Sequence, residues 1–275
     1  MQSNLLKRVI TASIIFPLVI SIILYQNDLI VRLFLNIVIF LAAFELSRLC
    51  FTDNSGNRKR FIFITIVFIS IFLSNLIVKN NIWSFQIIFS IILWLTIFLY
   101  IFKLERVYNE SNFGILYAFN FSVLLSCMYS SVYTLYILSP NFLVYLICLV
   151  SLVDISAYFF GKIYGKTPFF QIISPNKTRE GFYGSLVTCV IFSASFCLYQ
   201  KYELDYSIKL ICISLLVAIA SSFGDLSVSL IKRMSGKKDT GKILPGHGGL
   251  LDRIDSILPA APIFLILSFS LSVII

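Results

Sequence analysis

Near the end of one apolar run, SSFGDLSVSLIKR sets Ser222, Asp225, Ser229 and Lys232 at intervals of three, four and three residues. That spacing lines all four along one face of an α-helix. An acid inside a bilayer costs about 2.5–3.5 kcal/mol on the insertion scale, so Asp225 requires a polar cavity and a partner. An Asp–Lys pair that only fastens helices would meet the requirement, but it would not need two serines on the same stripe. Downstream, GGLLDRIDSILP carries Asp252 and Asp255 three residues apart, with Ser256 beside them. Acids at a helix start are favoured by the helix dipole. A cap accounts for one such acid, not for two with a third on the preceding helix. Asp225, Asp252 and Asp255 together offer the hard oxygen ligands of a Mg²⁺ site, leaving positions for water and phosphate oxygens.

Between these acids lie Lys232, Arg233, Lys237, Lys238 and Lys242, with Gly241, Gly246, Gly248 and Gly249 around the single histidine, His247. Positive loop charge or attraction to anionic lipid would explain the cations alone. The glycines add something, because they let backbone N–H groups come close to an anion. Basic residues, glycines and metal-type carboxylates describe a polyphosphate site. A second stretch, GKIYGKT from Gly161 to Thr167, is one residue short of a P-loop and follows an apolar helix instead of a strand, so that motif is set aside.

These residues are carried by an apolar chain. Of 275 residues, 59% are hydrophobic and 13% charged, and the mean hydropathy is +0.93. A soluble domain would carry about 25% charged residues, so soluble and disordered classes are excluded. Nine apolar segments near bilayer length fall at about 9–25, 29–50, 61–78, 82–102, 114–138, 142–161, 183–199, 209–230 and 250–275. The fold expected is all-α and polytopic, with about nine transmembrane helices. The run after Lys7 and Arg8 is read as the first of them and not as a cleaved leader. With the N-terminus in the cytoplasm, only Arg32, Lys79, Lys201 and Lys209 of the 22 basic residues fall outside, a strong positive-inside bias. The two longest inside loops, 162–182 and 231–249, each follow a helix with an acid near its inner end, Asp154 and Asp225. Division into residues 1–138, helices one to five, and 139–275, a catalytic region, is expected. The net charge of +9 belongs to this topology and gives no case for nucleic acid. Six scattered cysteines form neither a CxxC pair nor a metal-type spacing.

SLIKRMSGKKDTGKILPGHGGLLDRID, from Ser229 to Asp255, resembles the signature of the phosphatidate cytidylyltransferases (CDP-diacylglycerol synthases). The matching positions are Ser229, Lys232, Arg233, Lys238, Asp239, Pro245, His247, Gly248, Gly249, Asp252, Arg253 and Asp255, with Gly224-Asp225 upstream. DISAYFFGKIYGKTPFFQIISPNKTREGF is similar to a second family segment through Asp154, Ala157, Tyr158, Gly161, Ser174, Pro175, Lys177, Thr178, Glu180 and Gly181. It departs from the pattern at Asn176 and Ser185.

The resemblance implies a Mg²⁺-dependent enzyme, with room for a second cation, that transfers a cytidylyl group from CTP to phosphatidic acid and releases pyrophosphate. Asp225 and Asp252 would hold the metal, with Asp255 a third ligand or a partner of the ligands. Lys232, Arg233 and Lys238 would neutralise the triphosphate, and His247 would serve as a phosphate hydrogen-bond donor in preference to a base. Ser174, Lys177, Thr178 and Glu180 would bind nucleotide or lipid phosphate, and Ser229, Asp239, Gly248, Gly249 and Arg253 complete the substrate set. The setting implied is the cytoplasmic face of a bacterial inner membrane, and pairing of two copies is left open. A transporter would predict symmetric broken helices, and no internal repeat is present. The signature of CDP-alcohol phosphatidyltransferases is absent as well.

Overall fold

The computed structural model describes residues 2–51, 56–79, 83–104, 114–241, 243 and 248–274. Every one of the nine apolar segments carries a helix: α1 (Gln2–Leu24), α2 (Asp28–Cys50), α3 (Gly56–Lys79), α4 (Trp83–Leu104), α5 (Gly114–Leu138), α6 (Pro140–Tyr164), α7 (Arg179–Gln200) and α8 (Leu204–Met234), then a ninth broken into α9 (Leu251–Ile254) and α10 (Ile257–Ser270). Among the described residues seven helices, counting Leu251–Ser270 as one, are long and apolar enough to cross a membrane. The first and fourth segments contribute the shorter apolar stretches Ser13–Leu24 and Gln86–Leu99. The protein is an all-α, polytopic membrane protein.

The loop expected over 162–182 is not all loop. Helix α6 runs on to Tyr164, and β1 (Pro168–Phe170) pairs antiparallel with β2 (Ser174–Thr178), Pro168 opposite Thr178 and Phe170 opposite Ser174. Two prolines in so short a stretch argue against a strand in sequence terms. The hairpin holds because its phenylalanines find apolar cover: Phe169 stacks on Phe182 of α7 with ring centres 4.8 Å apart, and Phe170 is buried.

The chain forms two compact units, to each of which both 1–138 and 139–275 contribute. One unit comprises residues 1–83, 110–144 and 231–254. In it α2 buries Val31, Leu35, Ile39, Ala42, Leu46 and Leu49, a helical stripe, and packs on α3 and α5. Tyr133 of α5 donates to Asp28 of α2 at 2.8 Å, and Tyr129 donates to Asn75 of α3 at 3.1 Å. The buried serines of α5 return their protons to their own helix, Ser126 to the Val123 carbonyl and Ser131 to that of Cys127.

The other unit comprises residues 84–109, 145–230 and 255–275. Its centre is Tyr145 of α6, buried, whose hydroxyl lies 2.9 Å from the Ser193 hydroxyl of α7 and 2.7 Å from that of Ser214 of α8. An apolar groove between α4, α8 and α10 is lined by Trp94, Phe98, Leu216, Phe223 and Pro259.

Candidate active site

In the second unit the hairpin delivers a cation to a carboxylate on α8. Thr178 caps α7 by accepting from the Gly181 N–H at 3.2 Å, and Glu180 accepts from the Thr167 hydroxyl at 2.9 Å. These bonds fix the C-terminal end of β2, and Thr178 and Glu180 thereby serve the local fold. From that strand Lys177 Nζ reaches Asp225 Oδ2 at 2.6 Å and the Ser222 carbonyl at 3.4 Å. Asp225 Oδ1 accepts from Ser229 at 3.2 Å, the one-face spacing of α8 realised as a bond. Ser174 stands at the start of β2, half-buried.

Asp255 sits in the break between α9 and α10. It is buried, and its Oδ1 takes the Ser256 N–H at 2.8 Å. Helix α8 comes against this break at Gly224, where a Cβ would strike the Asp255 carbonyl oxygen and lie 2.7 Å from Pro259 Cδ. Gly224→Ala is therefore expected to destabilise the protein by about 1–3 kcal/mol through overpacking, despite the roughly 1 kcal/mol that alanine gains over glycine in a helix. Thermal unfolding in detergent measures it, and an unchanged midpoint would contradict the close approach.

Asp252, the third acid of the expected metal set, falls in the first unit with its oxygens engaged. Its Oδ1 takes Lys232 Nζ at 2.7 Å, and its Oδ2 takes the Thr240 N–H at 3.0 Å, the Thr240 hydroxyl at 2.9 Å and the Gly249 N–H at 3.3 Å. Lys232 and Asp252 are only 14% and 10% exposed, so the pair is poorly screened. Lys232 thus pairs with Asp252, while the lysine that meets Asp225 is Lys177. Lys238 and Asp239 are exposed in the loop after α8, Gly248 turns the chain with φ +83°, Gly249 is buried, and Arg233 and Arg253 are exposed on α8 and α9. His247 lies outside the described residues, as do Lys242, Pro245 and Gly246.

Glu45 of α2 lies outside both sequence motifs. Its Oε2 accepts from the Thr240 hydroxyl at 3.1 Å and from the Leu251 N–H at 2.9 Å. One turn on, the Arg48 carbonyl accepts from Lys237 Nζ at 2.8 Å. Partial desolvation, then the guanidinium charges of Arg48 and Arg60, lower the Lys237 pKa from the ordinary lysine value. The signal was available: beyond its first turn, Glu45 is the one acid in α2, and an acid in an apolar span requires a partner.

Among the described residues no group of three or more His, Cys, Asp or Glu side chains is placed to hold a metal ion. Mg²⁺ does not require one, since one or two carboxylates with substrate phosphates and water commonly complete its shell. Asp225 and Asp255, two hard-oxygen donors brought near each other where Gly224 meets the Asp255 carbonyl, have the chemistry that requirement names.

The sequence model of the cytidylyltransferase family matches residues 6–271. Proteins named phosphatidate cytidylyltransferase are similar to part of the chain. That of Staphylococcus haemolyticus is 39% identical over 127 residues, 46% of this chain and 48% of that protein. That of Staphylococcus aureus strain COL is 40% identical over the same length and shares. That of Bacillus subtilis strain 168 is 44% identical over 119 residues, 42% of this chain and 44% of that protein. The chain spans about half the length of the curated relatives it matches.

Proposed function

This chain belongs to the cytidylyltransferase family, and from that membership we propose that it transfers the cytidylyl group of CTP to phosphatidic acid, forming CDP-diacylglycerol and pyrophosphate for phospholipid synthesis. The observation that carries the reading is the 39–44% identity to proteins named phosphatidate cytidylyltransferase. The acidic and basic clusters built on helices of bilayer length supply chemistry that suits it.

A lipid phosphate oxygen attacks the α-phosphorus of CTP. The new P–O bond forms as the bond to the β-phosphate breaks, and pyrophosphate departs with the bridging oxygen and the electron pair. A phosphate monoester has its second pKa near about 6, so the nucleophile is already charged at neutral pH and needs no strong base. The barrier is charge repulsion and departure of the leaving group, which positioned cations lower.

Asp225 and Asp255 would hold Mg²⁺, with room for a second cation, and the metal would supply Lewis-acid stabilisation of phosphoryl oxygens when bound. Lys177 neutralises Asp225 and faces incoming phosphate. Lys232, Arg233 and Lys238 meet the triphosphate, with His247 as a hydrogen-bond donor to it. Asp252 orients Lys232 and the amides of its loop. An acyl chain of the lipid occupies the groove that begins at Phe223, two residues before Asp225. The site faces the cytoplasm from the inner membrane, the side on which the basic residues concentrate.

Purified protein given labelled CTP, phosphatidic acid and Mg²⁺ is expected to yield a labelled lipid, and none when either phosphatidic acid or divalent metal is withheld. No lipid product with CTP or dCTP across a series of divalent metals would overturn the reading.

A further inference from the structure

Three cations from three elements meet at the C-terminal end of α2. Arg48 stands in its last turn. Arg60 of α3 donates twice to the Phe51 carbonyl, from Nε at 2.9 Å and from a terminal nitrogen at 2.6 Å. Lys237, just past α8, donates to the Arg48 carbonyl at 2.8 Å and spends one of an ammonium's three donors there. The backbone sets its place: Gly236 turns with φ +64°, and the Lys237 N–H returns to the Lys232 carbonyl at 2.8 Å, a Schellman-type end to α8. Carbonyls at a helix C-terminus attract cations. That accounts for Arg60 and Lys237, but not for the Arg48 guanidinium, which lies over the Phe44 ring at 5.8 Å and donates to no acceptor among the described residues. None of the three pairs with a carboxylate among the described residues.

An apolar stripe leads away from this cluster. Leu33, Ile37, Phe40, Phe44 and Arg48 follow at intervals of four, three, four and four residues, one helical face, and all five are exposed. Phe68 of α3, also exposed, meets Phe40 with ring centres 5.7 Å apart, so α3 continues the surface. Helix α2 is long and apolar enough to cross a membrane. Its stripe runs about 22 Å from Leu33 to Arg48, more than one leaflet's half of a ~30 Å hydrocarbon core.

We propose that this seam binds one anionic phospholipid, its phosphate held among Arg48, Arg60 and Lys237 and an acyl chain laid along the exposed stripe of α2. Charge selects the ligand. A planar guanidinium matches two phosphate oxygens, and basic pockets between membrane helices take acidic head groups. A zwitterionic lipid carries an ammonium of its own, which the three cations repel. Lys237 follows the cations of α8 in the chain, yet its bond to α2 gives it to this cluster. None of the three residues is assigned above to CTP or to metal, so the site stands whether or not the cytidylyl-transfer reading does.

The test titrates purified full-length protein in detergent with phosphatidylglycerol or phosphatidylcholine and counts bound lipid by native mass spectrometry. Phosphatidylglycerol is a phosphodiester and cannot act as the phosphate-monoester nucleophile, which keeps this readout apart from turnover. It is expected to bind at least about tenfold more tightly than phosphatidylcholine. Arg48→Gln is expected to weaken it about fivefold, and Arg48→Gln with Lys237→Gln about 25-fold. Lys201→Gln, which removes an exposed lysine of the other unit, is expected to leave the affinity unchanged. Should the double variant fail to fold, Arg48→Gln decides alone, because that side chain has no hydrogen bond to lose. Equal affinity for the two lipids would overturn the proposal, as would wild-type binding of phosphatidylglycerol in Arg48→Gln. Excess inorganic phosphate is expected not to displace the lipid. Displacement would give the cluster to a free anion and overturn the lipid assignment.

Discussion

Asp225→Asn is expected to abolish turnover, lowering kcat by about 10³-fold or more, while the protein still inserts into the membrane and purifies with a normal unfolding midpoint. Asparagine preserves the shape and the contact from Ser229, so packing around α8 is undisturbed. What it removes is the charge that holds Lys177 Nζ at 2.6 Å and the anionic oxygen proposed for the metal. Lys177 is 28% exposed and can turn to water, so the loss of its partner costs little stability. The assay is label transfer from CTP to lipid at saturating substrates, beside a thermal melt in the same detergent. Turnover at the wild-type level would sink the assignment of Asp225 to the reaction.

The second large effect is expected at Asp252. In Asp252→Asn the side-chain amide must turn its NH₂ one way or the other. In one orientation it confronts the Lys232 ammonium, and in the other the Thr240 and Gly249 N–H groups. Either way a donor meets a donor in a site with little water. Removing one partner of a poorly exposed ion pair costs about 3–5 kcal/mol, which here falls on the loop and the lysine proposed to meet CTP. A fall of about 10²–10³-fold in kcat/KM for CTP is expected. Measuring kcat/KM for both substrates separates a loop effect from general unfolding. A loss of less than about threefold would show that Lys232 holds its place without Asp252.

The two acids differ in how much the sequence reveals about them. The stripe from Ser222 to Lys232 was legible because the helical period is local, and the bond from Ser229 to Asp225 follows it. The partner of each lysine was not legible. Periodicity says which side chains share a face of one helix, and it is silent about what another element brings to that face. Lys177 comes to Asp225 from a hairpin strand, and Lys232 turns to an acid 20 residues further on. The hairpin escaped because short strands with prolines resemble loop until aromatic cover is supplied. Glu45 escaped because 195 and 206 residues separate it from the groups it binds. The helices themselves were the easiest part, since the bilayer demands long apolar segments with internally satisfied backbones.

That separation has a consequence for how the protein is made. A ribosome adds about 5–20 residues per second, so Glu45 emerges about 10–40 s before Thr240 and Leu251 exist to receive it. Through that interval α2 is a newly inserted helix with an unclaimed acid five residues from its end. The acid lies near enough to the helix terminus for its carboxylate to reach water at the membrane surface. Arrival of the loop then draws it inward, and burial of this side chain becomes one of the last events of assembly.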